Sequence, residues 1–238
     1  MPNSVSAVTH SAATLHSPAP DACTLCGSQR LSLYHQDSRR IYWVCETCSL
    51  VQVPKPFWLS AAAEKKEYDQ HDNRPDDPGY RRFLSRTLNP VRERVAPPAS
   101  GLDFGCGPGP ALARMFEEAG YDMALYDLFY YPDESVLTRE YDFITATEVL
   151  EHLHDPAAWL QRLWQCLKPG GVLAVQTKRV VSQAHFAGWH YTRDPTHVIF
   201  FSIATLQWLS RRWQAPVRLT HPDVALFEKP HKQQMGDK

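Results

Sequence analysis

The sequence predicts an α/β fold in which a doubly wound, mostly parallel sheet closes with an antiparallel hairpin and follows a small cysteine-rich unit. Between Gly101 and Lys229, short apolar runs alternate with amphipathic helices, which is the pattern of a mostly parallel sheet. A glycine-rich turn at residues 105–109 follows the first of these runs. Two Cys-x-x-Cys pairs lie upstream, within residues 21–56, a segment with too little core to fold unaided.

The elements of the sheet domain have local signals in the sequence. Strands are expected at 102–104, 123–126, 143–145 and 172–176, and a closing hairpin at 217–220 and 224–227. Helices are expected at 111–119, 156–167 and 203–213, with Asp155 and Ser202 as N-caps and Gly120 as a stop. Only 13 residues separate Asp127 from Tyr141, so the third strand is predicted to be vestigial, at 135–137, or absent.

Composition limits the size and the partners of the protein. A chain of 238 residues that is 43% hydrophobic can hold one full α/β domain and something small. Its 25 basic and 26 acidic residues give a net charge of −1, which argues against broad nucleic-acid or membrane binding. No stretch approaches a transmembrane span, no signal peptide is evident, and we expect a cytoplasmic protein.

Five segments follow from these changes in composition. They are a disordered lead-in (1–20), a cysteine ribbon (21–56), a helical linker (57–100), the sheet domain (101–229) and a tail (230–238). Within the linker, Tyr68–Arg82 is a candidate lid over the sheet domain.

The glycine turn and an acidic residue beyond it predict a ligand site. The sequence LDFGCGPG fits a strand, a tight turn and a helix start, where glycine permits positive φ and close approach of a ligand. Asp127 comes 24 residues after Asp103, at the end of the next strand, where a carboxylate can accept hydrogen bonds from both ribose hydroxyls. The alternative is that Asp127 only caps the following turn.

Three ordered motifs, LDFGCGPG, ATEVLEHLHDP and LKPGGVLAV, resemble those of class I S-adenosylmethionine-dependent methyltransferases, and of type-23-like domains among them. The resemblance covers roughly residues 101–229 and implies a Rossmann-like fold that binds S-adenosylmethionine at the carboxyl ends of its strands. The residues it implies for the cofactor are Asp103, Gly105, Cys106, Gly107, Gly109, Asp127, Leu128, Thr147 and Glu148.

The four upstream cysteines predict a metal site. Cys23 and Cys26 form one pair, Cys45 and Cys48 the other, and 18 residues separate the pairs. Two knuckles at this spacing can close a tetrahedral zinc site. Because four thiolates leave no open position, the expected zinc is structural, and the segment is a zinc ribbon.

A polar stretch after the strand expected at 172–176 carries the candidate acid–base residues. His190 and His197 are each a possible base for an acceptor, with Asp194 orienting one of them. The alternative is a loop that hydrogen-bonds to itself and packs its aromatic side chains. His152 and His154 are second candidates, although Glu151 and His152 would also brace the helix that follows.

The sequence supports three functional hypotheses. The first is methyl transfer from S-adenosylmethionine to a small-molecule acceptor, at oxygen, carbon or nitrogen. The second is an RNA methyltransferase whose ribbon finds the substrate, which the neutral charge disfavours. The third is a non-catalytic adaptor, which the retained Asp103, Gly105, Gly107 and Asp127 argue against. The acceptor and the oligomeric state stay open.

Overall fold

The computed structural model describes residues 18–70 and 73–231, so the predicted lead-in and tail lie almost wholly outside it. The strands are β1 (Leu31–Gln36), β2 (Ile41–Cys45), β3 (Val51–Gln52), β4 (Ser100–Phe104), β5 (Asp122–Tyr126), β6 (Tyr141–Thr147), β7 (Leu167–Gln176), β8 (Ile199–Phe200), β9 (Val217–Leu219) and β10 (Val224–Glu228). The α-helices are α1 (Ala61–Tyr68), α2 (Pro78–Arg92), α3 (Ala111–Glu118), α4 (Pro156–Gln165), α5 (Gln183–Phe186) and α6 (Ile203–Trp213). None of the helices in this part of the chain has the length and apolarity needed to cross a bilayer.

Six strands form the central sheet in the order β5-β4-β6-β7-β10-β9. The first four are parallel, and β10 and β9 add an antiparallel hairpin at one edge. The predicted fold class and the closing hairpin are therefore confirmed. Side chains of β7 alternate between the two cores, with Leu173 and Val175 on one face and Val172 and Ala174 on the other, because successive strand residues point to opposite faces.

Helices cover both faces of this sheet. On one face α4 and α6 pack through Leu160, Leu163 and Leu206. On the other, α2 and α3 pack against the sheet, with Leu84 and Phe116 in the same core. Helix α2, which composition alone assigns to the linker, is thus a structural layer of the sheet domain.

The shortened segment between β5 and β6 holds no strand. It forms a 3-10 turn at Glu134–Thr138, which buries Val136 and Leu137 in the core. The hydroxyl of Tyr141 donates to the Val136 carbonyl at 2.7 Å and holds the turn against β6. Of the two predicted outcomes for the third strand, absence is the one found.

The cysteine ribbon shares a sheet with the rest of the protein. Strands β1, β2 and β3 pair antiparallel, and β3 then pairs with β8, so that Val51 lies opposite Phe200. The Val53 amide donates to the Val198 carbonyl at 2.8 Å and extends this pairing. The sheet and the core of the ribbon continue beyond the predicted end at residue 56, into the segment after β7.

A buried arginine fixes that contact. Arg40, at the start of β2, is 6% exposed, and its guanidinium donates to main-chain carbonyls of the segment 192–197. The distances are 2.9 Å to Asp194 O, 2.9 Å to His197 O and 3.2 Å to Pro195 O, and Thr192 O is a fourth acceptor. Because four carbonyl dipoles converge on one cation, the main-chain conformation of this segment depends on Arg40.

Replacing Arg40 should therefore destabilise the protein. Arg40→Ala leaves several buried carbonyls without a donor, so we expect the free energy of unfolding to fall by about 3 kcal/mol or more. Arg30→Ala is the matched control, because the side chain of that ribbon arginine is 74% exposed where it pairs with Glu46. Thermal and urea unfolding measure both variants, and equal stabilities would contradict the role given to Arg40.

Candidate active site

A cavity of about 540 Å³ opens at the carboxyl ends of β4, β5 and β6. In parallel α/β sheets these strand ends meet at one edge, where the loops that follow them can converge on a ligand. The predicted cofactor residues that line it are Gly105, Cys106, Gly107, Asp127, Leu128, Thr147 and Glu148. Seven of the nine predicted cofactor residues therefore line the same cavity.

The glycine turn needs glycine for two different reasons. Gly105 and Gly107 have φ of +72° and +65°, a region that L side chains rarely adopt. A Cβ at Gly105 would overlap the Val149 side chain, whereas a Cβ at Gly107 would meet Asn73 Nδ2 at 3.3 Å and no other atom of the described residues within 4 Å. Gly105 is thus required by packing, and Gly107 keeps cavity space open.

Asp127 holds the loops on both sides of itself. One carboxylate oxygen accepts from the Gly107 amide at 3.0 Å, and the other accepts from the Phe129 and Tyr130 amides at 2.9 and 3.1 Å. Asp127 therefore caps the following turn, as the alternative interpretation of the sequence has it. A carboxylate has about four acceptor positions, so it retains capacity for a ligand hydroxyl at the cavity wall.

Asp103 and Gly109 do not line the cavity. Asp103 is 4% exposed behind the glycine turn, where it accepts a hydrogen bond from the Thr145 hydroxyl at 2.7 Å. Burial raises the pKa of Asp103 to about 7, against the opposing effect of that bond. At Gly109 a side chain would overlap the Asn73 main chain. Both residues therefore support the glycine turn and do not themselves face the cavity.

His197 and Asp194 lie together on the cavity wall. The Nδ1 atom of His197 is 2.8 Å from the Tyr191 carbonyl, and its Nε2 atom is 3.7 Å from Asp194 Oδ2. Asp194 also accepts from the amide and hydroxyl of Thr196. The loop therefore hydrogen-bonds to itself, as the alternative interpretation has it, and still presents these two predicted residues to the cavity.

His190, the third candidate, does not reach the cavity. Its side chain is exposed on a 3-10 turn, and its Nε2 atom is 2.9 Å from Lys178 Nζ. The positive charge of Lys178 lowers the pKa of His190. His152 occupies the wall instead, with its ring centre 4.7 Å from that of His197. Burial lowers the pKa of His152 to about 4, so its imidazole is neutral at pH 7.

Two glutamates and a tyrosine form a buried group beside these histidines. Glu148 follows β6 with φ of +50°, a strained conformation for a residue with a side chain. Burial, reinforced by Glu151, raises the pKa of Glu148 to about 8. The Tyr191 hydroxyl donates to Glu151 Oε1 and lies 3.4 Å from Glu148 Oε2. Sequence reasoning gave Glu151 only a bracing role, although the Glu-x-x-Glu-His spacing on one short turn was visible.

Helix α1 covers the open side of the cavity. Tyr68 packs edge-on against His152 at 5.3 Å between ring centres, and Glu64 Oε1 is 2.8 Å from His154 Nε2. His154 in turn stacks on Trp58 at 4.3 Å. Tyr68, Asn73 and Tyr80 all line the cavity, so residues of the candidate lid segment lie over it.

The cavity is aromatic and acidic. Among the described residues that line it there is no lysine or arginine. Its carboxyl groups are those of Glu64, Asp127, Glu148, Asp155 and Asp194, of which Glu148 has the raised pKa given above. A cleft lined by charges of one sign focuses its electrostatic potential on a bound ligand, so the charge of the ligand affects how well it binds.

Comparison with known proteins identifies the class. A family model described as a methyltransferase domain (type 23) matches residues 79–214, which is more than half of the chain. The chain belongs to this methyltransferase family. The match begins at the second residue of α2, in agreement with the packing of that helix on the sheet.

Among individual proteins, the chain resembles trans-aconitate 2-methyltransferases. It is 36% identical over 162 residues to the protein from Methylobacterium radiotolerans (58% of this chain, 56% of that one) and 32% identical over 120 residues to that from Deinococcus radiodurans (41% and 46%). It therefore spans about half the length of these relatives. A methyltransferase structure from Archaeoglobus fulgidus shares the fold, with a TM-score of 0.51, 14% identity and coverage of 71% of this chain and 100% of that one.

The glycine turn gives a direct test of the site. Gly107→Ala places a methyl group in the cavity and strains a residue at positive φ, so we expect S-adenosylmethionine to bind at least tenfold more weakly. Gly188→Ala is the control, because a Cβ there meets no atom of the described part of the chain within 4 Å. Calorimetry with both variants checks this, and full affinity in Gly107→Ala would place the cofactor elsewhere.

Proposed function

We propose that this protein transfers a methyl group from S-adenosylmethionine to a small-molecule acceptor. The observation that carries the proposal is one cavity that joins the glycine turn and Asp127 to the polar group of His152, Asp194 and His197. In the reaction a lone pair of the acceptor forms a bond to the methyl carbon while the carbon–sulfur bond breaks. The bonding pair goes to sulfur, and the sulfonium becomes a neutral thioether. Alignment of the two substrates is the main contribution of such a site.

The cofactor end of the cavity is assigned to the glycine turn. Gly105, Cys106 and Gly107 would border the methionine portion, and Asp127 would accept the ribose hydroxyls. Leu128, Thr147 and Glu148 would border the rest of the cofactor. Asp103 would act by holding the glycine turn in place at the end of β4, because its carboxylate accepts a hydrogen bond from Thr145 and does not face the cavity.

The acceptor end is assigned to His152, Asp194 and His197, with Tyr68 over them. Neutral His152 and the Asp194–His197 pair are the groups available to take a proton from the acceptor. This keeps two of the three predicted catalytic residues, Asp194 and His197, and replaces His190 by His152.

In the absence of a bound metal ion, the side-chain charges of the cavity favour a neutral or cationic acceptor. A tricarboxylate such as trans-aconitate would meet several carboxylates and no lysine or arginine among the described residues. Bringing like charges together in a partly buried cavity is unfavourable. The same shortage of cations, together with the cover that α1 provides, speaks against a nucleic-acid substrate. We infer that this chain uses a different acceptor class from its named relatives.

We further propose that the ribbon holds one structural zinc ion. The Sγ atoms of Cys23, Cys26, Cys45 and Cys48 lie within 4.8 Å of one another, with two pairs at 3.5 Å. A tetrahedron of Zn–S bonds of about 2.3 Å requires sulfur separations of roughly 3.8 Å. The two knuckles also have matching turns, which end at Gly27 and Ser49 with φ of +72° and +59°.

Elemental analysis tests the zinc proposal. We expect about one zinc per chain in protein purified without chelators, because four protein thiolates fill every position of a tetrahedral ion. Cys45→Ser should lose that metal. Cys166→Ser should keep it, because Cys166 is buried in the core of the sheet domain and is not one of the four clustered cysteines. Protein without zinc would contradict the proposal.

The acceptor proposal is tested by charge. Protein is incubated with methyl-tritiated S-adenosylmethionine and a metabolite extract of the cells that make it, separated into cationic, neutral and anionic fractions. We expect label in a neutral or cationic fraction and none with Gly107→Ala. Label only in the anionic fraction would contradict the charge argument. Label only in RNA or protein, or no transfer at all, would contradict the proposed function.

A further inference from the structure

A cluster of carboxylate and imidazole groups lies at the acceptor end of the cavity. One ligating atom each from Glu151, His152 and His197 lies within 4.8 Å of the others. We propose that these residues bind one divalent metal ion, separate from the zinc of the ribbon, and that the carboxyl group of Glu148, which faces the same tyrosine hydroxyl as Glu151, lies beside it. The site rests on its own geometry. Only its use in catalysis depends on the proposed function.

The first argument is a buried oxygen without a partner. Glu151 is 0% exposed, and the Tyr191 hydroxyl donates to its Oε1 atom, while Oε2 has no hydrogen-bond partner among the described residues. Glu148 repeats the pattern, because its Oε2 faces the same hydroxyl and its buried Oε1 has no hydrogen-bond partner within residues 18–70 and 73–231. A single phenol proton serves only one of these oxygens at a time. Burying carboxylates in this way is costly unless a cation compensates them.

The second argument is the orientation of the two histidines. The Nδ1 atom of His152 is 3.3 Å from the Thr196 carbonyl, and that of His197 is 2.8 Å from the Tyr191 carbonyl. A carbonyl oxygen only accepts, so each Nδ1 carries the proton and each Nε2 keeps its lone pair. Histidines that bind metals typically donate their other ring N–H to a main-chain carbonyl or a carboxylate.

The donor set indicates the kind of ion. Carboxylate oxygens suit Mg²⁺ and Mn²⁺, and imidazole nitrogens suit first-row ions such as Mn²⁺, Fe²⁺, Co²⁺ and Zn²⁺. A site with both prefers a first-row divalent ion, unlike the four soft thiolates of the ribbon. Because three protein donors leave three positions of an octahedron open, such an ion would bind and polarise an oxygen of the acceptor. With the ion bound, the Nε2 atoms of the two histidines are ligands, and Asp194 is the group left to take a proton from the acceptor.

The competing account is a proton. A single proton held between Glu148 and Glu151 would also relieve their repulsion and would give one of the free oxygens a donor. The two accounts differ in whether the cluster takes up metal, which makes the proposal testable without any assay of methyl transfer.

Manganese is the probe, because its paramagnetic resonance signal distinguishes free from bound ion. The full chain, with its ribbon loaded with zinc, is titrated with Mn²⁺, and we expect one bound ion per chain. Glu151→Gln and His197→Asn should each weaken binding at least tenfold. Glu64→Gln is the matched control, because it is a buried carboxylate on the same cavity but pairs with His154 outside the cluster.

Absence of Mn²⁺ binding to the wild type, or equal binding by the Glu151 and His197 variants, would overturn the metal site and favour the shared proton. Thermal unfolding checks that the variants fold, and His152→Asn replaces any that does not. Calorimetry with S-adenosylmethionine is read separately. Cofactor binding without Mn²⁺ binding would contradict the metal site alone, and Mn²⁺ binding without cofactor binding would contradict the proposed function alone.

Discussion

The buried guanidinium of Arg40 is the contact on which the acceptor side of the cavity depends. It gathers the main-chain carbonyls of the segment 192–197, whose side chains Asp194 and His197 face the cavity. Without a cation, those carbonyl dipoles would lie close together with no donor in a region closed to solvent. The residue that sets the course of this loop therefore lies in the ribbon, more than 150 residues away in sequence.

The ribbon and the methyltransferase domain consequently form one structural unit at this point. Val198 connects them through its main chain, since its carbonyl accepts from Val53 and its amide donates to the Glu151 carbonyl. The first knuckle precedes β1, and the second lies at the end of β2, the strand that begins beside Arg40. Strand β3, which follows the second knuckle, pairs with β8. A structural metal in the ribbon would thus support the wall that carries His197 and Glu151, although it lies outside the cavity.

The parts of this architecture with local causes were predictable from sequence. The six strands of the central sheet, the caps at Asp155 and Ser202 and the glycine turn depend on nearby residues, and the structure has them at or near the expected positions. Strand β8 was not predicted, because two residues carry no periodicity and their partner is in the ribbon. His190 and His197 could not be distinguished, because the conformation of this loop depends on tertiary contacts such as those of Arg40 with the carbonyls of residues 192–197. Glu151 was missed for a similar reason, since its burial against Tyr191 is a tertiary contact.

The claim that the ribbon holds the acceptor loop is tested most directly by amide hydrogen exchange, measured by mass spectrometry on the zinc-loaded full chain and after removal of zinc. Exchange reports local opening segment by segment. The account predicts faster exchange in residues 192–201 together with the ribbon, while residues 101–127, around the glycine turn, stay protected. Faster exchange in the ribbon with residues 192–201 unchanged would contradict it.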